Sequence, residues 1–200
     1  MAWKSVKDMA GNTYNLYFQA FESECGPACV ATIVRAVRNS LVDITQARQA
    51  VEKADVLRHI THAQDKHGVM QEVWTAQLNW TQDYSNMDAL TQALSSLQVN
   101  SAYTLKGLGT NLGARMKQRT SRARPGIVNV QWKNGGGHFV VVAGSVAGAY
   151  GDKVIILDPH YGLQHVPMNM LPTYKPVAGP SVHTGDSGEG TFYPWLITTN

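Results

Sequence analysis

Three short apolar runs rich in β-branched residues follow one another late in the chain, at 126–132, 138–143 and 153–157, with no helical stretch between them. Runs of this length and composition read as buried strands. Joined in series without crossover helices, they exclude an alternating α/β fold. The first half has the opposite character. Apolar positions recur at helical spacing over 25–38, 44–57, 87–97 and 112–122, and a further helix is expected over 70–78. Ala28, Cys29, Ile33 and Val37 form the stripe of the first helix, and Asp43 stands where it can cap the second. Residues 1–22 read as irregular or weakly extended, 172–190 as a long loop rich in Pro, Gly and Ser, and 192–198 as an edge strand. Helices followed by an antiparallel sheet give an α+β fold, expected as one domain over 1–200 with a cleft between two lobes.

Composition narrows the function. With 200 residues, 44% of them hydrophobic and 16% charged, the chain can bury a core and is no solvated coil. A net charge of +3 is too small to indicate a nucleic-acid partner. The start lacks the basic and apolar stretches of a secretory signal, and no run of about 18 apolar residues exists to span a membrane. The expectation is a soluble chain made in the cytoplasm, with no membrane partner. Any export would use a specialised secretion system. Cys25 and Cys29 would stack on one helix face, where a regular helix does not offer disulfide geometry. Both are expected reduced.

Cys25 carries the chemistry. Pro27 belongs in a first helical turn, which puts Cys25 at the helix start. Free N–H groups and the partial positive charge there favour a thiolate. Gly26 leaves room for a substrate. Cys29, one turn on, reads as a small core residue. A thiolate needs a base, a group that orients the base, and donors for an oxyanion. His138 follows Gly135, Gly136 and Gly137 and opens a strand. Alone it would be an ordinary loop histidine. Asp158 ends the next strand before Pro159; alone it would be a turn-starting aspartate. In a hairpin whose turn centres on Gly148, the two stand directly opposite, with Cβ atoms roughly 4.5–5.5 Å apart. Asp158 would then hold the imidazole tautomer. Gln19, six residues before Cys25, could join the Cys25 N–H in an oxyanion hole; only its spacing separates it from a surface glutamine.

Taken together, Gln19, the run Glu24-Cys25-Gly26-Pro27-Ala28-Cys29, the run from Gly137-His138 to Gly144, and Leu157-Asp158-Pro159 resemble the bacterial C39 peptidase family. These papain-like domains are best known for cutting leader peptides after a double glycine. The resemblance covers about 15–160. It implies a cysteine endopeptidase with Cys25 as nucleophile, His138 as base, Asp158 as orienting group and Gln19 in the oxyanion hole, acting at Gly-Gly or small residues of a protein substrate. It brings in no metal or cofactor. Glu24 stands where the family often has Asp. Leader-processing members usually precede a membrane domain and an ATPase, and neither follows within these residues. Stand-alone members also occur as bacterial effector toxins, which implies a cognate inhibitor protein in the producing cell. The segments 56–100 and 160–200 depart from the minimal peptidase. The same catalytic residues also suit a deamidase or acyl transferase, and an inert peptide-binding domain is the non-catalytic alternative.

Weaker signals have ordinary explanations. His59 and His62 could share a helix face, with His67 nearby, but no further ligand completes a metal site. Arg115, Lys117, Arg119, Arg122 and Arg124 form a basic run, in which Arg115, Arg119 and Arg122 would share a stripe of a solvated helix. His160, Tyr161 and His165 stand where they could line the cleft. Trp74 and Trp80 read as packing residues.

Overall fold

Residues of the late strands bury alternately on two sides, and this alternation organises the molecule. The computed structural model describes residues 3–64, 70–74, 86–104, 111–148, 151–177 and 188–200. Seven strands make one antiparallel sheet: β5 (Ser101–Thr104), β6 (Gly126–Trp132), β7 (Gly137–Val146), β8 (Lys153–Asp158), β9 (Gly162–Pro167), β10 (Thr173–Tyr174) and β11 (Gly190–Thr199). Their order is β10-β11-β6-β7-β8-β9, with β5 beside β11. Ile127, Phe139, Val141, Ala143, Ile155 and Leu157 bury on one face, in a core shared with helices α1 (Cys25–Arg38), α2 (Ile44–His59) and α3 (Met87–Ser96). Val128, Val130, Val140, Val142, Val154 and Ile156 bury on the other, against Leu112 and Met116 of α4 (Leu112–Arg119). Burial on both faces explains why these strands read as continuous apolar runs.

Helix α1 spans the residues its periodicity predicts. Asn39 ends it in the left-handed region at φ 53°, with its N–H bonded to the Arg35 carbonyl. Asp43 does cap α2: its Oδ1 accepts from Gln46 N at 2.8 Å, and Gln46 Oε1 accepts from Asp43 N at 3.2 Å.

Several elements differ from expectation. Residues 3–17 are a hairpin, β1 (Trp3–Lys7) with β2 (Thr13–Tyr17). Asp8 closes its turn by accepting from Ala10 N, Asn12 N, Asn12 Nδ2 and the Tyr14 hydroxyl. The helix expected over 70–78 is instead strand β4 (Met70–Trp74), paired with β3 (Ile60–Gln64); residues 75–78 lie outside the described residues. Cross-strand pairing there overrides a short periodic signal. Helix α4 stops at Arg119, because Thr120 turns extended and its hydroxyl bonds the Met116 carbonyl at 2.7 Å. β11 is not an edge strand: β6 flanks it on one side, β10 and β5 on the other. β10 falls inside the stretch expected as loop, of which 178–187 lie outside the described residues.

The β7–β8 register also differs. Val141 faces Leu157 and Val142 faces Ile156, with a bulge before the Ser145–Val154 pair. Continuing that ladder puts Asp158 opposite Val140, two positions from His138. The bulge moves the turn along the chain. It contains Gly144, at φ 116°, where a Cβ would sit 3.1 Å from Ser121 Cα. A two-residue slip keeps both side chains on one face, and diagonal neighbours remain within reach of long side chains.

Candidate active site

The slipped register still joins His138 to Asp158. His138 Nε2 lies 2.9 Å from Asp158 Oδ1. The same oxygen accepts from His160 N at 2.8 Å and Tyr161 N at 3.0 Å, and Oδ2 accepts from the Tyr174 hydroxyl at 2.6 Å. Asp158 therefore caps a turn and contacts the imidazole at once. Its side chain is fully buried, and with these donors its acceptor capacity is well used. Burial alone would raise its pKa. The His138 charge and the hydrogen bonds from His138, Tyr174 and Tyr161 outweigh that and lower it.

With Nε2 on Asp158, Nδ1 is the nitrogen left for a second partner. The Cys25 side chain is within hydrogen-bonding reach of His138. Burial pulls the His138 pKa down, yet the Asp158 charge and hydrogen bond, with the Cys25 interaction, drive it up to about 10. Cys25 opens α1 and is almost wholly buried, so the thiol meets the imidazole away from bulk water. Cys29 is fully buried, and burial first, then the Cys25 and Asp158 charges, push its thiol pKa well up. That is the inert core cysteine expected of it.

Gln19 is buried and tied to both halves of the site. Its backbone N–H donates to the Pro159 carbonyl at 3.0 Å, beside Asp158, and its Nε2 donates to the Phe21 carbonyl at 3.1 Å. An amide nitrogen carries two protons, so this bond engages one of them. Glu24 holds the loop between Gln19 and Cys25. It is 1% exposed; its Oε2 accepts from Ala20 N at 2.7 Å and Phe21 N at 3.0 Å, and its Oε1 pairs with Arg48 of α2. The residue that departs from the family pattern is thus the anchor of the loop before Cys25.

Sequence reasoning did not find Trp132 or Tyr174. The Trp132 ring stacks on His138, with centroids 5.6 Å apart and planes at 23°, and also on Tyr174, at 6.0 Å and 30°. Trp132 ends β6 and Tyr174 lies on β10, so both reach the site through sheet pairings that no local pattern reveals. Of the weaker signals, His59 ends α2 and His62 lies on β3, so they share no helix face; His67 and Trp80 lie outside the described residues. Among the described residues no group of three His, Cys, Asp or Glu is arranged for a metal. Tyr161 packs by Trp132 and His160, whereas His165 accepts from Met9 N on the N-terminal hairpin side. Arg122 lies beyond α4, so the expected stripe with Arg115 and Arg119 does not form.

A thiol, an imidazole and a carboxylate linked in that order suit nucleophilic catalysis. No protein-family model and no curated protein matches the sequence. Solved structures do. The peptidase domain of Streptococcus ComA, a bi-functional ABC transporter involved in quorum sensing, superposes with TM-score 0.55 at 16% identity, covering 93% of this chain and 98% of that one. A double glycine motif protease from an AMS/PCAT transporter, solved with its leader peptide, gives TM-score 0.53 at 16% identity, covering 98% of this chain and 91% of the other. The chain has the papain-like C39 peptidase fold. It keeps that fold although few residues are shared.

Proposed function

We propose that the chain is a cysteine endopeptidase working through Cys25, His138 and Asp158. The observation that carries this reading is the buried His138–Asp158 pair at 2.9 Å, with the Cys25 side chain interacting with the same imidazole. The likeness to peptidase domains supports it. In the proposed reaction His138 takes the Cys25 proton. The thiolate sulfur then bonds to the scissile carbonyl carbon, and its oxygen gains the negative charge. The Cys25 N–H at the start of α1 and the Gln19 amide donate to that oxygen. His138 returns the proton to the leaving nitrogen as the C–N bond breaks. Water, deprotonated by His138, releases the acyl group and restores the thiol. Asp158 keeps the imidazole turned and stabilises its charge.

The substrate is a protein or peptide segment, cut beside small residues such as paired glycines; the leader peptide bound to one structural neighbour supports that class. We further propose that the chain is a bacterial effector toxin, delivered by a specialised secretion system and restrained at home by an inhibitor protein. Comparison of protein termini in cells expressing the chain or its Cys25→Ala form tests the reading. New termini are expected only with Cys25 intact. Termini that persist with Cys25→Ala refute it, and a gain of about one dalton without cleavage indicates deamidation instead.

A further inference from the structure

The end of α1 remote from Cys25 borders a cavity of about 310 Å³. Two arginines are among its lining residues, Arg35 of α1 and Arg122 of the turn after α4, beside Thr13, Asn15 and Asn39. Its wall toward the sheet includes Ala143 and Leu157, on the strands that bear His138 and Asp158. No aspartate or glutamate lines it. Asp8, which accepts from the lining residue Tyr14, also accepts from Asn12 and Ala10. Arg35 spends one nitrogen on the Asn39 carbonyl, at 2.8 Å. Arg122 pairs with no carboxylate among the described residues. Two cations that share a polar cavity without a counter-ion repel each other, and an anion between them removes that cost. The fork of a guanidinium suits two oxygens of one phosphate or carboxylate, and the neighbouring amides and hydroxyls suit further oxygens. The volume lies at the small end of the range for small-molecule sites, about 300–1,000 Å³.

We propose that this cavity binds a small oxyanion, a phosphate or carboxylate group carried on a compact polar molecule, between Arg35 and Arg122. The site is separate from the catalytic cysteine: Arg35 is ten residues beyond Cys25, about 15 Å along the helix. A ligand there touches α1, β7 and β8 together, the three elements that carry Cys25, His138 and Asp158. It also gives a role to part of the basic run that the catalytic site does not use.

The test is thermal unfolding and calorimetric titration of the full chain with sodium phosphate, sodium acetate and sodium chloride at matched ionic strength. A saturable response to phosphate, or to both phosphate and acetate, is expected, with none to chloride. Phosphate alone assigns a phosphate ligand; both together assign any compact oxyanion. Arg122 is exposed, so Arg122→Gln leaves the fold intact and is expected to weaken binding at least about tenfold, as loss of a charge-assisted contact does. Arg35→Gln should do the same, once circular dichroism shows that α1 survives the loss of its contact to Asn39. Equal responses in wild type and Arg122→Gln overturn the proposal, as does a lack of saturation with either oxyanion. The readout is binding, so its failure leaves the peptidase reading untouched.

Discussion

Replacing Tyr174 by phenylalanine deletes one hydroxyl and nothing else. That hydroxyl donates to Asp158 Oδ2 at 2.6 Å, and both residues are fully buried. Water cannot substitute for it without entering the ring stack of Trp132, Tyr174 and Phe192. A hydrogen bond to a buried charge contributes about 1.5–3 kcal/mol. For a chain of this length that amounts to a fall in Tm of about 3–12 °C at neutral pH. The pH dependence separates this cause from loss of packing. Asp158 has a folded pKa below its usual 3.8, so its contribution is present above that value and is lost as pH falls through the folded pKa. Tyr174→Phe removes one lowering contact, which brings the folded pKa up toward 3.8. The stability gap between wild type and variant should therefore be full at pH 7 and narrow in acid. Urea unfolding of both proteins across pH measures it. A variant as stable as wild type at pH 7, or a gap that stays constant into acid, refutes the reasoning.

Three further outcomes follow from the same geometry. His138 is raised from 6.5 to about 10, so the stability its charge provides is complete below 6.5 and lost as pH rises through about 10; this alkaline decline should be much weaker in His138→Ala, read by urea unfolding at each pH. A Cβ at Gly190 would lie 2.7 Å from Val130 Cγ1 and 2.8 Å from both the Gln131 carbonyl and Trp132. Gly190→Ala should cost about 1–3 kcal/mol and lower kcat more than it raises KM, by shifting the ring that lies on His138; unchanged thermal melts and turnover would count against it. Glu24→Ala removes a buried carboxylate from two backbone donors and from Arg48, which is 28% exposed and so partly solvated. A loss of about 2–4 kcal/mol is expected, measured by denaturant unfolding, whereas a loss under half a kcal/mol would show that the loop stands without it.

Local chemistry was legible in the sequence; distant pairing was not. Helix α1 could be read at both ends, because Pro27 suits a first turn and the apolar stripe stops at Val37. Cys25 and Cys29 could be told apart by their positions on that helix. Strand β6 was equally plain, since a run of β-branched residues between turn signals has few alternatives. The His138–Asp158 contact was anticipated from a register that proved wrong by two residues, and it survived because even slips preserve the face. Tyr174 and Trp132 left no local trace: one lies on a two-residue strand in a Pro- and Gly-rich stretch, and the other looks like any strand-end tryptophan. Glu24 looked like a conservative deviation, because its partners are backbone N–H groups and an arginine on another helix.

Strand β11 has a consequence for the timing of assembly. It comes after all the other strands, yet it lies inside the sheet, where β6 and β10 both depend on it. Until residues 190–199 have been synthesised, β6 has an open edge and Tyr174 has no Phe192 to pack against. The carboxylate that steadies His138 then lacks its hydroxyl donor. A nascent chain thus holds every proposed catalytic residue before it holds the strand that completes the sheet around them.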